Sequence, residues 1–143
     1  MSEKTAYRNF RDNVTVPGDR INRIENLIGL GFPDTNGCFN GVEFWMEIKA
    51  PSEPARKTTA LFGSNHKLSQ DQRNWFLTQK RAMGKGFVYI ETNYRRMLIT
   101  GMYVDYINVM TVDSLMDISI WSARRPTVKK DWYLLRERII KGV

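Results

Sequence analysis

The residues from Val42 to Ala50 alternate between apolar and polar side chains, and this pattern constrains the fold more than any other in the chain. Such alternation predicts a β-strand on which Glu47 and Lys49 point to the same face. The preceding stretch contains two Asn-Gly dipeptides, which favour tight reversals of the chain. A hairpin there would bring Asp34 back beside Glu47 and Lys49. Two carboxylates and one ammonium group in a small volume suit a hard divalent metal ion and a phosphate, which points to metal-assisted cleavage of nucleic acid.

Length and charge agree with that interpretation. The chain has 143 residues, 42% of them hydrophobic, and a net charge of +7, which suits one basic domain with a polyanionic partner. No apolar run reaches the roughly 20 residues that cross a bilayer, and the N-terminus is too polar for a secretory signal. With one cysteine and one histidine, the chain lacks the residues for an internal disulfide or a zinc site. We therefore expect a soluble cytoplasmic protein with no membrane partner.

Periodicity and breaker residues predict the other elements. A Ser69–Gln72 capping box starts a helix that ends at the glycines Gly84 and Gly86. The predicted order is helix 3–14, an ambiguous segment 20–30 for which we favour a strand, strand 42–50, loop 51–68, the capped helix, strands 87–91, 96–99 and 103–112, and a basic amphipathic helix 127–141. This order predicts an α/β (α+β) fold with a mixed β-sheet flanked by helices.

Several short motifs resemble the PD-(D/E)xK nuclease superfamily. In chain order they are Arg23-Ile24-Glu25, Gly31-Phe32-Pro33-Asp34, Glu47-Ile48-Lys49 and Leu68-Ser69 with Gln72. Within the superfamily the chain looks most like the VRR-NUC branch and its small stand-alone phage-type members. The motif-bearing part spans about residues 20–92. The resemblance implies a restriction-endonuclease-like core in a single nuclease domain, residues 1–143, while strands and a basic helix in about 93–143 fall outside the motifs.

The resemblance also implies roles for individual residues. Asp34 and Glu47 would bind Mg²⁺, with Mn²⁺ as a substitute, and the backbone carbonyl of Ile48 is a third candidate ligand. Lys49 would stabilise the attacking water and the charge that develops on the phosphate. Gln72 would orient water or phosphate from the start of its helix, or it would only close the capping box; both roles are compatible.

Members of the superfamily often add a glutamate from the first helix, where this chain offers only Glu3. Glu25 is the other candidate catalytic acid, although it could instead pair with Arg23 at a strand edge. Arg23 could serve that pair or contact a phosphate of the DNA. His66 could contact DNA or relay a proton, but a solvated loop histidine is the simpler interpretation. Cys38 is expected to be an inert turn residue.

Two further groups of cations are candidate DNA contacts. Such contacts position the duplex without reading its sequence and give affinity that depends on salt. A solvated protein surface explains each group nearly as well. The first group, in the loop, is Arg56, Lys57 and Lys67, and the second, nearer the C-terminus, is Arg124, Arg125, Lys129 and Lys130.

The sequence therefore predicts a metal-dependent DNA endonuclease that needs no organic cofactor. The resemblance favours a homodimer that acts on branched DNA such as Holliday junctions. One alternative is a nuclease that nicks, trims flaps or degrades DNA without a preference for junctions. The other is a basic DNA-binding module that keeps the fold but does not catalyse a reaction.

Overall fold

A mixed β-sheet organises the chain, and each strand lies beside its neighbours in sequence order. The computed structural model describes residues 1–24 and 31–143, and within them the sheet has six strands in the order β1 to β6. The elements are α1 (Glu3–Val14), β1 (Arg20–Arg23), β2 (Thr35–Phe39), β3 (Val42–Lys49), α2 (Gln70–Arg81), β4 (Gly86–Glu91), β5 (Arg95–Thr100), α3 (Val112–Ile118), β6 (Trp121–Arg124) and α4 (Lys129–Lys141), with 3₁₀ turns at Gly101–Tyr103 and Ile107–Val109.

The strands β3 and β4 pair in parallel, whereas every other pair in this sheet is antiparallel. A parallel pair needs a long crossover connection, which here consists of the loop after β3 and helix α2. The helix begins at the predicted capping box, in which Ser69 and Gln72 satisfy each other's backbone N–H groups. The crossover therefore carries Gln72 back to the sheet beside β3.

Helices cover both faces of the sheet. On one face Phe44, Met46 and Ile48 of β3 pack with the apolar stripes of α1 and α4. On the other face Val88 of β4 packs with Phe76 of α2 and with residues of the loop and α3. These two cores confirm the predicted mixed sheet flanked by helices. No helix of the described residues is long and apolar enough to cross a membrane.

The hairpin before β3 forms, but its turn is tighter than predicted. Asn40 and Gly41 both have positive φ, at 50° and 79°, as a two-residue hairpin turn requires. Asn36 and Gly37 do not turn, because they lie inside β2 and pair with β3. A Cβ on Gly37 would come within 2.5 Å of the Phe44 ring, so the glycine serves close packing instead.

The prediction of a strand over 103–112 is wrong. This stretch contains 3₁₀ turns, in which Val104 and Ile107 are buried at a spacing of three rather than two. The sequence interpretation also missed α3 and β6, although Thr111 caps α3 by accepting a hydrogen bond from the Ser114 N–H. In the segment predicted as a strand over 20–30, Arg20–Arg23 is a strand, and residues 25–30 lie outside the described part of the chain.

Candidate active site

Hydrogen bonds link Asp34 to Glu47 and Ile48 across the hairpin formed by β2 and β3. The Asp34 backbone N–H donates to Glu47 Oε1 at 3.1 Å, and Asp34 Oδ1 accepts from the Ile48 N–H, also at 3.1 Å. The Thr35 hydroxyl donates to the same Asp34 oxygen at 3.1 Å. Side chain and backbone thus interlock, and the two carboxylates converge at the end of the hairpin.

Lys49 and Gln72 meet the second carboxylate oxygen of Glu47. Lys49 Nζ lies 3.6 Å from Glu47 Oε2, and Gln72 Nε2 donates to that oxygen at 3.1 Å. The other amide atom of Gln72, Oε1, accepts from the Ser69 N–H at 2.9 Å. Gln72 therefore closes the capping box and contacts the acidic pair at the same time. The capping role is therefore present, and the contact with Glu47 places Gln72 beside the acidic pair, while the orientation of water or phosphate stays a prediction.

Burial sets the charge state of the two carboxylates. Glu47 is 4% exposed, and burial together with the Asp34 charge raises its pKa from 4.5 to about 8, although Lys49 opposes the change. Burial likewise raises the pKa of Asp34 from 3.8 to about 6, against the hydrogen bonds from Thr35 and Ile48. Two buried carboxylates beside each other resist ionisation, so a nearby cation would be bound favourably as they lose their protons.

A cleft of about 600 Å³ opens over these carboxylates, and helix α1 supplies much of its lining. Ala6, Phe10 and Val14 of α1 are buried at a spacing of four residues, which turns the rest of the helix outward. Three exposed cations of α1 then face the cleft with one from β1. We call Lys4, Arg8, Arg11 and Arg23 the cationic cluster.

Tyr7 lies among these cations and also lines the cleft. The guanidinium groups of Arg11 and Arg23 lie 5.9 and 6.0 Å from the centre of its ring. Burial raises the pKa of Tyr7, while both arginines oppose the rise. The sequence analysis missed Tyr7, Lys4, Arg8 and Arg11. The spacing of the apolar residues of α1 could have shown that the cations share an outward face, but not that this face adjoins Asp34.

Glu3 lines the same cleft at the start of α1. Its negative charge contributes to the raised pKa values of both Asp34 and Glu47. The only histidine, His66, places Nδ1 4.0 Å from Glu3 Oε1. Within the described residues, no three His, Cys, Asp or Glu side chains are grouped closely enough to hold a metal ion. Glu25, the alternative acid, lies outside the described residues.

The remaining candidates are spread over other surfaces. Ile48 buries its side chain in the core, and its N–H binds Asp34. Cys38 is not in a turn, as expected from the sequence, but lies partly buried in β2, because the chain reverses later, at Asn40 and Gly41. In the described chain, seven of the DNA-binding candidates do not line the cleft. Arg56, Lys57 and Arg124 share a separate groove of about 230 Å³, and Arg125 donates to the Thr92 carbonyl. Lys67, Lys129 and Lys130 are exposed elsewhere on the surface.

Comparison with known proteins bears on the fold. No protein-family model matches the chain, and no curated protein matches it in sequence. Among solved structures it is similar to Hjc of Archaeoglobus fulgidus, a Holliday junction resolvase from an archaeal hyperthermophile. The two superpose with a TM-score of 0.56 at 11% sequence identity, over 79% of this chain and 91% of the resolvase chain. A likeness at this identity establishes the shared α+β fold.

Proposed function

We propose that this chain is a metal-dependent endonuclease of the PD-(D/E)xK type that hydrolyses phosphodiester bonds of DNA. The observation that carries the proposal is the convergence of Asp34, Glu47 and Lys49, of which the two carboxylates line a cleft that has cations along it. The order of the motifs, with Gln72 after the Glu-x-Lys element, supports assignment to the VRR-NUC-like branch. The resemblance in fold to a Holliday junction resolvase supports branched DNA as the substrate.

The residues present fit Mg²⁺ or Mn²⁺. Asp34 and Glu47 offer carboxylate oxygens, the hard donors that these ions prefer, and the carbonyl of Ile48 is a third candidate. Glu3, whose charge already acts on both carboxylates, is the candidate additional acid. A divalent ion held there would polarise the scissile phosphate and lower the pKa of a water molecule.

The other side chains of the site would position the groups and neutralise charge. Lys49 lies close to Glu47 Oε2 and is 7% exposed, so its ammonium group would act in a nearly dry environment on the charge that develops at phosphorus. Gln72 holds the Glu47 carboxylate in place from the rigid start of α2. The cationic cluster would bind phosphates on the strand that enters the cleft.

Structure selectivity and dimerisation form the finer part of the proposal. The described chain contains one constellation of this kind, and one such site hydrolyses one strand. Paired nicks across a symmetric four-way junction therefore need two copies, most simply related by a two-fold axis. The net charge of +7 suits the several duplex arms that meet at a junction.

The test is cleavage of a four-way junction compared with linear duplex, flap and single strand, with and without Mg²⁺. We expect preferential, symmetric nicking of the junction and a loss of at least about a hundredfold in rate for Glu47→Ala. Glu43→Ala is the matched control, because Glu43 is on the same strand and strand face but has a side chain 63% exposed. That variant should keep its activity.

Each other outcome would change a defined part of the proposal. Equal cleavage of all four substrates would leave a nuclease without junction preference. DNA binding with no Mg²⁺ or Mn²⁺ bound in calorimetry, and no cleavage, would instead identify a non-catalytic DNA-binding module. Sedimentation of the protein with a junction would show whether one or two copies bind.

A further inference from the structure

An aromatic cluster lies directly beside the catalytic residues on the same three segments of the chain. It consists of Phe32, Trp45 and Trp75, with ring centres 6.2 Å apart for Phe32 and Trp45, 6.3 Å for Phe32 and Trp75, and 5.4 Å for Trp45 and Trp75. Each ring is two or three positions from a residue of the site: Phe32 from Asp34, Trp45 from Glu47, and Trp75 from Gln72. A spacing of two on β3 or three on α2 keeps both side chains on one face, and Phe32, in the segment before β2, lines the same cleft as Asp34. The aromatic cluster and the catalytic residues are thus adjacent layers of one surface.

Phe32 is the member of this cluster that reaches the cleft. It lines the cleft together with Asp34 and Glu47, and it is 42% exposed. Trp45 and Trp75 lie behind it and are partly buried, and Trp75 is anchored by an edge contact with the buried Phe76 at 5.5 Å. The cluster therefore presents one exposed ring on a support that holds its orientation, which lowers the entropic cost of stacking on that ring.

The cleft thus combines two kinds of binding group around the carboxylates. The cationic cluster can neutralise phosphates, and the Phe32 ring offers a flat apolar face. A positively charged groove with an aromatic platform is the combination that binds single-stranded nucleic acid, because every unpaired base has a face that can stack. Inside a paired duplex, neighbouring bases already cover those faces. The ring can therefore stack only on a nucleotide that is unpaired or has left the helical stack.

We propose that Phe32 stacks on a base next to the scissile phosphate that is unpaired or has left its helical stack, so that the cleft selects DNA with such nucleotides, whether in a flap or at the crossover of a four-way junction. This proposal rests on the proposed nuclease function and identifies the residue that would give the site its structure selectivity. A second copy of the chain is a poorer occupant for this surface. It would bring two basic proteins, each with a net charge of +7, together at their cationic clusters.

The experiment measures DNA binding without catalysis. DNA carrying 2-aminopurine at an unpaired position, in a single strand or at a flap, is titrated in EDTA, and a blunt duplex of the same length serves as reference. Stacking on an aromatic ring lowers the fluorescence of this base. We expect Phe32→Leu to weaken binding of the unpaired substrates roughly tenfold and to remove the fluorescence change, while duplex binding stays the same. Phe32→Trp should retain both signals, because it keeps an aromatic face.

Tyr94→Leu is the matched control, since Tyr94 is 60% exposed and does not line the cleft of the described structure. The proposal is overturned if Phe32→Leu weakens all substrates equally, affects none of them, or changes the sedimentation of the free protein. The two proposals fail separately. If the protein stacks the base but cuts no DNA with Mg²⁺, only the nuclease function is lost; if it cuts DNA but Phe32→Leu binds all substrates normally, only the stacking role is lost.

Discussion

Replacing Glu47 by glutamine should stabilise the metal-free protein at neutral to alkaline pH while it abolishes cleavage. Glu47 is almost completely buried, and its pKa is raised from 4.5 to about 8 by burial and by the Asp34 charge. Between these two pH values the folded protein keeps a proton that the unfolded chain has released. The free energy of unfolding of the wild type therefore falls as the pH rises from 4.5 to about 8. Glutamine stays neutral, so the variant avoids this loss.

The size of the effect follows from the same shift. The difference between 4.5 and about 8 is 3.5 pH units, which at 1.36 kcal/mol per unit limits the gain to about 5 kcal/mol. Relaxation and water entry around a buried charge reduce such limits, so we expect about 2–3 kcal/mol at the upper end of the range. The gain should approach zero below pH 4.5, where the Glu47 carboxyl group is protonated in the folded and in the unfolded protein.

Urea unfolding in EDTA at several pH values between 4.5 and about 8 measures this difference directly. Glu43→Gln is the control, because its carboxylate lies on the same face of β3 but pairs with Arg20 at the surface. Its substitution should change stability by less than about 0.5 kcal/mol. Added Mg²⁺ should stabilise the wild type and leave Glu47→Gln unchanged, because in the proposed site the Glu47 carboxylate is a ligand of the ion.

The reasoning is refuted by a difference between Glu47→Gln and wild type that does not depend on pH. It is refuted equally by a variant that is less stable than wild type at the alkaline end of the range. Either result would mean that Glu47 contributes to stability through its hydrogen bonds, and that its ionised form is not disfavoured by burial.

Two further substitutions have matched controls. Gly31→Ala should lower the free energy of unfolding in urea by about 3 kcal/mol, because φ is +77° and the new Cβ would lie 2.4 Å from the backbone of α2. Gly18→Ala is its control: φ is +96° but no neighbour lies within 4 Å, so the loss should be about 1 kcal/mol. Gln72→Ala should lower Mg²⁺ affinity in calorimetry about tenfold through its contact with Glu47. Ser69→Ala should lose about 1 kcal/mol of helix capping with unchanged metal affinity, and an equal loss of affinity in both variants would contradict this role of Gln72.

The hairpin around Asp34 shows what local sequence can predict. Alternation with a period of two gave β3 and the shared face of Glu47 and Lys49, and the structure has both. The second Asn-Gly dipeptide turns the chain as predicted. The first does not, because Gly37 accommodates the ring of Phe44 from the neighbouring strand. A dipeptide preference is local, whereas the contact that overrides it depends on the register of two strands.

The region after β5 was harder to predict for a related reason. Val104, at the end of the first 3₁₀ turn, and Ile107, in the second, bury their side chains at a spacing of three, and the stretch is too short for this spacing to stand out from its other apolar residues. Strand β6 has four residues, Trp121–Arg124, and it exists because β5 offers an edge for it to pair with. Neither element has a long periodic pattern of its own, so pairing and packing with distant residues decide their structure.

The net charge of +7 predicted a polyanionic partner, but it did not predict where that partner would bind, and helix α1 shows the reason. Apart from Arg23, sequence reasoning placed the DNA contacts on the loop after β3 and on the segment from Arg124 to the first turn of α4, where cations are dense. In the structure the cations beside the carboxylates come mostly from α1, and they face the cleft because Ala6, Phe10 and Val14 pack against the sheet on the other side of the helix. The buried apolar residues on one side of a helix thus determine where the cations on its other side are placed. The cations of α1 should therefore affect cleavage of bound DNA, whereas those of the loop and α4 should affect only how tightly the arms of the substrate are held.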